Sequence, residues 1–306
     1  MTAGRKQEQR IRTLEMSMRR ILGIGVLGFA LLGSVEGAEL PRARPSQSPV
    51  KPSELPTHLK WVREHPTWRP PPEIRREARP EDKGWLMREY RFQNTPRRRH
   101  ASGWLLAYIG DDDVFRLFSD ALRLGPGSRT PDASEYGMFS ELLRGMGLMA
   151  QTNDLAFQFL KDAINMDWWR KERKWTSIWK DPRKEFFLAS SAVQALGLSG
   201  RAEAGAIFDR MRHEGFNYQS PRDARDGREL NWAVYKAKQY LEASRKMGQQ
   251  ASRDGLFGEE FMRHMREWRR SEEGLEWFEW CSPKIRSPDN RAHLDETLKL
   301  MDYYDF

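Results

Sequence analysis

Cysteine and catalytic motifs are what this sequence has least of. Cys281 is the only cysteine in 306 residues, which excludes an intrachain disulfide framework and a Cys/His zinc cluster. The six histidines lack ligand spacing, and no HExxH, GxSxG, P-loop or GxGxxG motif is present. We therefore expect no enzyme activity, no metal, no cofactor and no small-molecule substrate. Cys281 is expected to be a packed thiol.

Long apolar runs are also scarce. The run from Ile21 to Leu32 follows Arg19 and Arg20 and precedes several small residues. As a helix it rises about 18 Å, too little to cross a bilayer comfortably. Residues 1–37 therefore predict a cleaved signal peptide. The alternative is an uncleaved signal anchor, which would be the chain's route to a membrane.

Acidic residues are too few to balance the whole chain, which carries a net charge of +8, but the imbalance is local. Residues 38–100 hold 15 Lys/Arg, 8 Asp/Glu and 11 of the 17 prolines. Residues 101–306 hold 31 Lys/Arg and 33 Asp/Glu. The basic excess therefore belongs to the leader and the Pro-rich segment, and does not indicate a basic groove on the body.

The region that follows the leader divides into two parts. Residues 38–58 are rich in Pro, Ser and basic side chains and are expected to be disordered. Together with the signal, this segment resembles the two-part leader of proteins sent to plastids; the alternative is a secreted or periplasmic protein with a Pro-rich linker. Residues 59–100 form a Pro/Trp-rich arm, which we expect to lie across the body, held by Trp61, Trp68 and Trp85.

A basic cluster ends this arm. Arg97, Arg98 and Arg99 stand next to each other directly before the body. Such a cluster can contact RNA phosphates. The alternative is a basic turn that faces solvent.

From residue 101 to the end, apolar residues recur at helical spacing and no stretch alternates long enough to require a strand. The pattern predicts an all-α domain over 101–306. Helix ends are expected near Gly125 and Gly215. The predicted apolar stripes are Leu142, Leu143, Met146 and Met149; Leu155, Phe159, Ala163 and Met166; Leu188, Ser191, Ala192, Ala195 and Leu196; and Leu230, Val234, Ala237, Leu241 and Ser244.

The clearest internal pattern runs from Val193 to Phe216. It resembles one unit of the pentatricopeptide repeat (PPR), in which a leucine ends the first helix, glycine makes the turn, and alanine, phenylalanine and methionine line the second helix. Small residues let two helices approach, large residues fill the seam, and a last glycine ends the pair. In this sequence the pattern falls on Leu196, Gly200, Ala204, Phe208, Met211 and Gly215.

A second match begins at Pro131, with Asp132 and Tyr136 in register, so the repeat-like part covers about residues 101–217. The units are spaced more widely than in the family, and insertions must separate them. The resemblance implies a short α-α superhelix of antiparallel helix pairs, like those of PPR, TPR or HEAT proteins, that carries the Pro-rich arm. The same helix-pair logic also builds repeats outside the PPR family.

The resemblance further implies binding of single-stranded RNA in a mitochondrion or plastid. In the family, the residue after the tyrosine position and the last residue of a unit read the base. At the match that includes Tyr136, these two positions fall on Gly137 and Asp132. At the best-matched unit they fall on Ser190 and Gln219. Gly137 has no side chain with which to read a base.

A tryptophan-rich insertion separates the repeat-like units. Trp168, Trp169, Trp175 and Trp179 alternate with basic residues and could stack on RNA bases. The alternative is that they bury a helix face or form a protein interface, since 168, 175 and 179 share one helical face.

Two charged groups have ordinary structural explanations. Asp111, Asp112 and Asp113 are typical of an acidic helix start. Glu260 and His264 lie one helical turn apart, as in a surface ion pair.

The function predicted from the sequence is thus an organellar helical-repeat protein with an RNA-binding or RNA-processing accessory role. The alternative is a helical protein–protein scaffold, in an organellar complex or secreted.

Overall fold

The chain is all-α over the residues that its computed structural model describes, and no strand occurs among them. None of the described helices is long and apolar enough to cross a bilayer. The predicted leader and almost all of the 38–58 segment lie outside the described residues. The structure describes residues 55–66, 69–92, 99–124, 133–172, 184–214 and 224–282, together with Leu298 and Met301.

The arm is helical, and its prolines stand where helices begin. Pro72 occupies the first turn of its helix and Pro80 that of a short 3-10 turn, positions that need no backbone N–H. The elements of the arm are α1 (Thr57–Glu64), α2 (Pro72–Glu77), the 3-10 turn Pro80–Asp82 and α3 (Lys83–Phe92).

The body continues with helices joined mostly by short turns. Asp111 begins one of them as predicted, since its carboxylate accepts the Val114 backbone N–H at 3.0 Å. The described helices of the body are α4 (His100–Ile109), α5 (Asp112–Leu124), α6 (Ala133–Met149), α7 (Asp154–Ala163), α8 (Met166–Glu172), α9 (Lys184–Leu198), α10 (Ala202–Glu214), α11 (Ala224–Met247), α12 (Gln249–Gly255), α13 (Glu259–Arg269) and α14 (Glu272–Cys281).

Four of these helices form a row: α4 packs on α6, α6 on α9, and α9 on α11. Each of the first three is followed by a short turn and a second helix (α5, α7 and α10). The last, α11, also packs against α13 and α14. Three helix–turn–helix pairs therefore stack side by side through their first helices.

Glycines set the spacing of this row. A Cβ atom at Gly147 would lie 2.3 Å from the Ala195 carbonyl oxygen, and one at Gly197 would lie 2.1 Å from the Ala237 carbonyl oxygen. Because backbone atoms occupy these positions, no side-chain rearrangement can make room. The helices approach this closely only because both positions lack a side chain.

The predicted apolar stripes are buried, except that Leu155 is exposed and Met166 is half-buried. Buried Ala156, Phe159, Leu160 and Ala163 of α7 follow the i, i+3, i+4, i+7 spacing of one helical face, and Phe157 is buried beside them. Leu155 lies outside that face and is 48% exposed, so its predicted core role was wrong. The predicted stripe also ran on into the next helix, because α7 ends at residue 163.

The arm packs on the body through buried apolar side chains such as Leu86 and Tyr90, and arginines add further attachments. Arg75 is only 1% exposed and donates a hydrogen bond to the Leu256 carbonyl oxygen. The Arg69 guanidinium lies over the rings of Trp104 and Phe257, at 5.0 and 4.3 Å from their centroids. Trp61 and Trp85 are both partly buried against the hydrophobic core, as predicted. Trp61 also stacks on His65, directly after α1. The sequence did not predict the arginine contacts, and Trp68 lies outside the described residues.

Cys281 is the packed thiol that the sequence predicts. It is 1% exposed, its Sγ donates to the Phe278 carbonyl oxygen, and burial raises its pKa well above the usual value. We expect a thiol reagent to modify the native chain very slowly and the unfolded chain rapidly, because the thiolate is the reactive form. Labelling across a urea titration should follow the loss of helical circular dichroism. Rapid stoichiometric labelling without denaturant would contradict this packing.

Candidate functional site

A polar cavity of about 670 Å³ lies where the turns of neighbouring helix pairs meet. Its walls come from the turn after α6, the turn after α9, the end of α11 and the start of α12. Among the described residues that line it there are two arginines, no carboxylate and no aromatic ring. The lining side chains that matter most are Gln151, Thr152, Ser199, Arg201, Ser244 and Arg245.

The turn after α6 is held from several directions. The Arg201 Nε donates to the Ala150 carbonyl oxygen at 2.6 Å. Gln249 donates through its side chain to the Gln151 carbonyl oxygen, and Arg253 donates to the Thr152 hydroxyl at 2.8 Å. Because α12 and the α9–α10 turn both fix this backbone, the cavity wall is formed before any ligand binds.

The turn after α9 depends on glycine. Gly200 has a φ of +64°, in the left-handed region that side chains disfavour. A Cβ atom there would also lie 3.2 Å from the Cβ of Ser244. Glycine therefore both makes the turn and lets α11 approach it, which brings Ser244 and Arg201 to the same cavity.

Two polar groups at this cavity have no hydrogen-bond partner among the described residues. Gln151 donates through Nε2 to the Leu198 carbonyl oxygen at 3.0 Å and to the Ser252 hydroxyl at 3.3 Å, but its Oε1 accepts nothing. The Ser244 hydroxyl is likewise unmatched. Both residues are only 2% exposed. Buried polar atoms without partners are rare and destabilising, so a polar ligand that satisfied them would be bound favourably.

The two arginines of the cavity pair with carboxylates outside its lining. Arg201 lies 2.6 Å from Asp154, whose side chain is 91% exposed, and Arg245 lies 3.3 Å from Glu242. In each pair one side chain is well exposed, Asp154 in the first and Arg245 in the second, so water screens the attraction and an anionic ligand can compete for both guanidinium groups. Each turn joins the C-terminus of one helix to the N-terminus of the next, and the opposite dipoles at these ends largely offset each other. The local charge therefore comes from the two arginines and their paired carboxylates.

The base-reading positions implied by the PPR resemblance lie elsewhere. Gly137 is exposed in the first half of α6, about 18 Å along the helix from Met149 at its end. Ser190 is half-buried in the first half of α9, about 12 Å before its last residue. Neither lines the cavity. Asp132 and Gln219 lie outside the described residues.

The basic cluster at the end of the arm is described only in part. Arg99 is half-buried directly before α4, and its guanidinium lies 5.7 Å from the centre of the Tyr90 ring on α3. This residue therefore contributes to the contact between arm and body. Arg97 and Arg98 lie outside the described residues.

The tryptophans of the insertion pack against the core where the structure describes them. Trp169 is fully buried and its indole N–H donates to the Ala163 carbonyl oxygen at 2.6 Å. Trp168 is half-buried, and its ring centre lies 5.1 Å from that of Phe159. Trp169 is thus unavailable as a partner surface, because α8 folds back onto α7. Trp175 and Trp179 lie outside the described residues.

Titratable groups elsewhere form ion pairs. His264 lies 3.8 Å from Glu260, the predicted partner, but it is buried instead of lying on the surface, and its Nδ1 lies 3.0 Å from Glu267. The described part of the chain brings together no group of three or more His, Cys, Asp or Glu side chains that could hold a metal ion. The arrangement at the cavity is suited to binding through hydrogen bonds and charge.

Sequence reasoning missed this cavity. Gly200 was recognised as a turn, but nothing local indicates that Gln151, Arg201 and Arg245 converge. One available signal was the polar composition of the turns, with glutamine, threonine and arginine at positions that a simple connection does not require.

No known protein family, no curated protein and no solved structure matches the chain. Its resemblance to the PPR family stays a prediction.

Proposed function

We propose that this protein is a non-catalytic helical-repeat binding protein of an organelle, with an accessory role in RNA binding or processing. Its RNA is single-stranded, and the turn cavity contacts the sugar–phosphate backbone. The observation that carries the proposal is the pair Arg201 and Arg245 in a polar cavity whose described lining contains no carboxylate. The signal-like leader followed by a Pro/Ser/basic segment supports the organellar location.

Backbone contact is favoured over base reading by what the surface offers. Among the described residues, the large apolar side chains that are exposed are Leu124 and Leu155, and neither is aromatic. Base stacking needs accessible rings, whereas phosphate contact needs only cations. Gly137 and Ser190, the implied readers, lie away from the cationic cavity. We therefore expect RNA binding that weakens as the salt concentration rises and that depends little on the RNA sequence.

The direct test is fluorescence anisotropy of the full chain with labelled single-stranded RNAs of several sequences. We expect Arg201→Gln together with Arg245→Gln to weaken binding about tenfold and to reduce the slope of log K against log salt by about 1, since up to two phosphate contacts are lost. The control is Arg263→Gln, which is compared with each cavity substitution made singly. It removes one positive charge from an exposed position on α13 that does not line the cavity.

Each result of these binding measurements either supports or contradicts the proposed function. RNA binding that is lost with the cavity arginines and kept in Arg263→Gln supports the proposal. Absence of RNA binding at low salt contradicts it, as does equal weakening by Arg263→Gln. In cells, crosslinking and sequencing should recover organellar transcripts. A tagged full-length chain found only outside the cell would contradict the proposed organellar location.

A protein–protein scaffold is the second candidate, and the charge balance of the body favours it. Residues 101–306 carry 31 basic and 33 acidic side chains, so most of the surface does not attract RNA. Many of these charges pair with each other on the surface, as Lys246 does with Glu267 at 3.0 Å. Purification of the tagged chain with one stoichiometric protein partner and no crosslinked RNA would favour the scaffold.

A further inference from the structure

We infer that the turn cavity holds one ribose–phosphate unit and distinguishes RNA from DNA through the ribose 2′-hydroxyl. This inference rests on the proposed function, and it names the chemical group that the cavity recognises. If contact is with the backbone alone, the sugar hydroxyl is the feature by which RNA differs there from DNA. The cavity contains unmatched partners for such a group.

The orientation of the Gln151 amide is fixed by its neighbours. Its Nε2 donates to the Leu198 carbonyl oxygen and to the Ser252 hydroxyl, so the amide cannot turn over without losing both bonds. Oε1 is therefore an acceptor that still lacks a donor among the described residues. A 2′-hydroxyl can donate to it, whereas a deoxyribose carbon and a 2′-O-methyl oxygen cannot.

Ser244 supplies the second unmatched group. Its hydroxyl can donate or accept, and it lines the same cavity from α11 while Gln151 lines it from the turn after α6. A sugar hydroxyl also donates and accepts, so the two residues can satisfy it together. Both atoms are shielded from solvent in the unliganded chain, so the Ser244 hydroxyl must rotate about χ1 and the Gln151 amide must tilt, without turning over, to meet the sugar.

Arg201 and Arg245 account for the phosphate. They line the cavity together with Gln151 and Ser244, and a guanidinium group matches phosphate oxygens in geometry and charge. The volume of about 670 Å³ is ample for one sugar and its phosphate. It lies in the range of about 300–1,000 Å³ that is typical of sites for compact organic ligands.

The test compares oligouridine, oligodeoxyuridine and 2′-O-methyl oligouridine of equal length, so that the bases are identical. We expect the full wild-type chain to bind oligouridine most tightly. Ser244→Ala should weaken oligouridine binding about 3- to 10-fold and leave oligodeoxyuridine binding unchanged, the effect of one lost hydrogen bond. Ser244→Ala should fold normally, since its hydroxyl has no partner to lose within the described part of the chain; thermal unfolding checks this.

Ser190→Ala is the matched control. The Ser190 hydroxyl is also buried and unmatched among the described residues, but Ser190 does not line the cavity. It is also the reading position implied by the PPR resemblance. We expect Ser190→Ala to leave the RNA-to-DNA preference unchanged. A loss of preference in Ser190→Ala as large as in Ser244→Ala would overturn the assignment to the cavity.

The remaining outcomes distinguish this inference from the function on which it rests. Equal binding of the three oligonucleotides, weakened by the loss of Arg201 and Arg245, overturns the 2′-hydroxyl inference and leaves RNA backbone binding intact. Failure of the wild-type chain to bind any of them overturns both. Tight binding of 2′-O-methyl oligouridine, unaffected by Ser244→Ala, also overturns the role given to the Gln151 acceptor.

Discussion

Glu141→Gln is expected to lower the free energy of unfolding at neutral pH by about 3 kcal/mol. This loss is typical of removing one partner of a buried ion pair. Glu141 is 14% exposed and lies 3.2 Å from Arg69. Its carboxylate accepts the Trp104 indole N–H at 2.8 Å and also pairs with Arg144. This one carboxylate therefore joins the arm, α4 and α6.

The substitution keeps the size of the side chain but removes its charge. Arg144, with a side chain only 20% exposed, then remains in a protein interior without its anion. Arg69, which holds the arm, loses the same partner. Urea unfolding of the full chain followed by circular dichroism measures the effect. A loss below about 1 kcal/mol would show that this cluster contributes no more than a surface pair.

The Glu141 carboxylate also determines the direction in which the free energy of unfolding changes with pH. Burial alone would raise the pKa of Glu141, but the charges of Arg69 and Arg144 outweigh it and hold that pKa well below its usual value of 4.5. The unfolded chain therefore binds a proton at higher pH than the folded chain. The contribution of Glu141 is present above about pH 4.5 and is lost as the pH falls below that value. Wild type and Glu141→Gln should approach each other in stability on acidification.

Glu267→Gln is the control for this result. Glu267 is also paired with basic groups, lying 3.0 Å from both Lys246 and Arg263, but its side chain is 42% exposed. Water screens these pairs, so the substitution should change the free energy of unfolding much less than Glu141→Gln does. An equal loss in the two variants would contradict the role assigned to burial.

Gly197→Ala is expected to lower the free energy of unfolding by about 3 kcal/mol, at the upper end of what overpacking usually costs. The added Cβ would lie 2.1 Å from the Ala237 carbonyl oxygen and 2.7 Å from its carbonyl carbon. These are backbone atoms of a buried helix, so α9 and α11 must move apart. Thermal unfolding of the two chains measures the loss.

Gly137→Ala is the matched control. Nothing lies within 4 Å of a Cβ atom built at Gly137, and the residue is exposed within α6. Alanine is a better helix former, so this change should stabilise the chain by about 0.5–1 kcal/mol. Destabilisation by both substitutions would show that the effect at Gly197 comes from something other than the close contact with Ala237.

Gly197→Ala should also weaken ligand binding. The contact between α9 and α11 at this glycine lies four residues before Arg201, and Ser244 follows Ala237 by two helical turns. Separation of α9 from α11 therefore moves apart two walls of the turn cavity. RNA binding measured at a temperature where the variant is still folded should fall, whereas Gly137→Ala should leave it unchanged.

The sequence by itself determined the local structure. Helical spacing of apolar residues gave the buried faces of α6, α9 and α11, and Gly200 marked a turn because its backbone lies in the left-handed region. Helix α10 buries Ala204 and Phe208 as the repeat pattern predicts. These features follow from interactions within one or two helical turns, or from one residue's conformational limits, and both are visible in a single sequence.

Only the tertiary structure decided which distant residues meet. Gln151, Arg201 and Arg245 stand about fifty residues apart, and each has a polar turn or the end of a helix as its local context. The packing of α6, α9 and α11 through Gly147 and Gly197 fixes the angle and height at which their ends converge. The same packing buries Trp169 and leaves Gly137 far from the cavity. Spacing along a chain carries no information about such convergence, because it depends on the relative placement of whole helices.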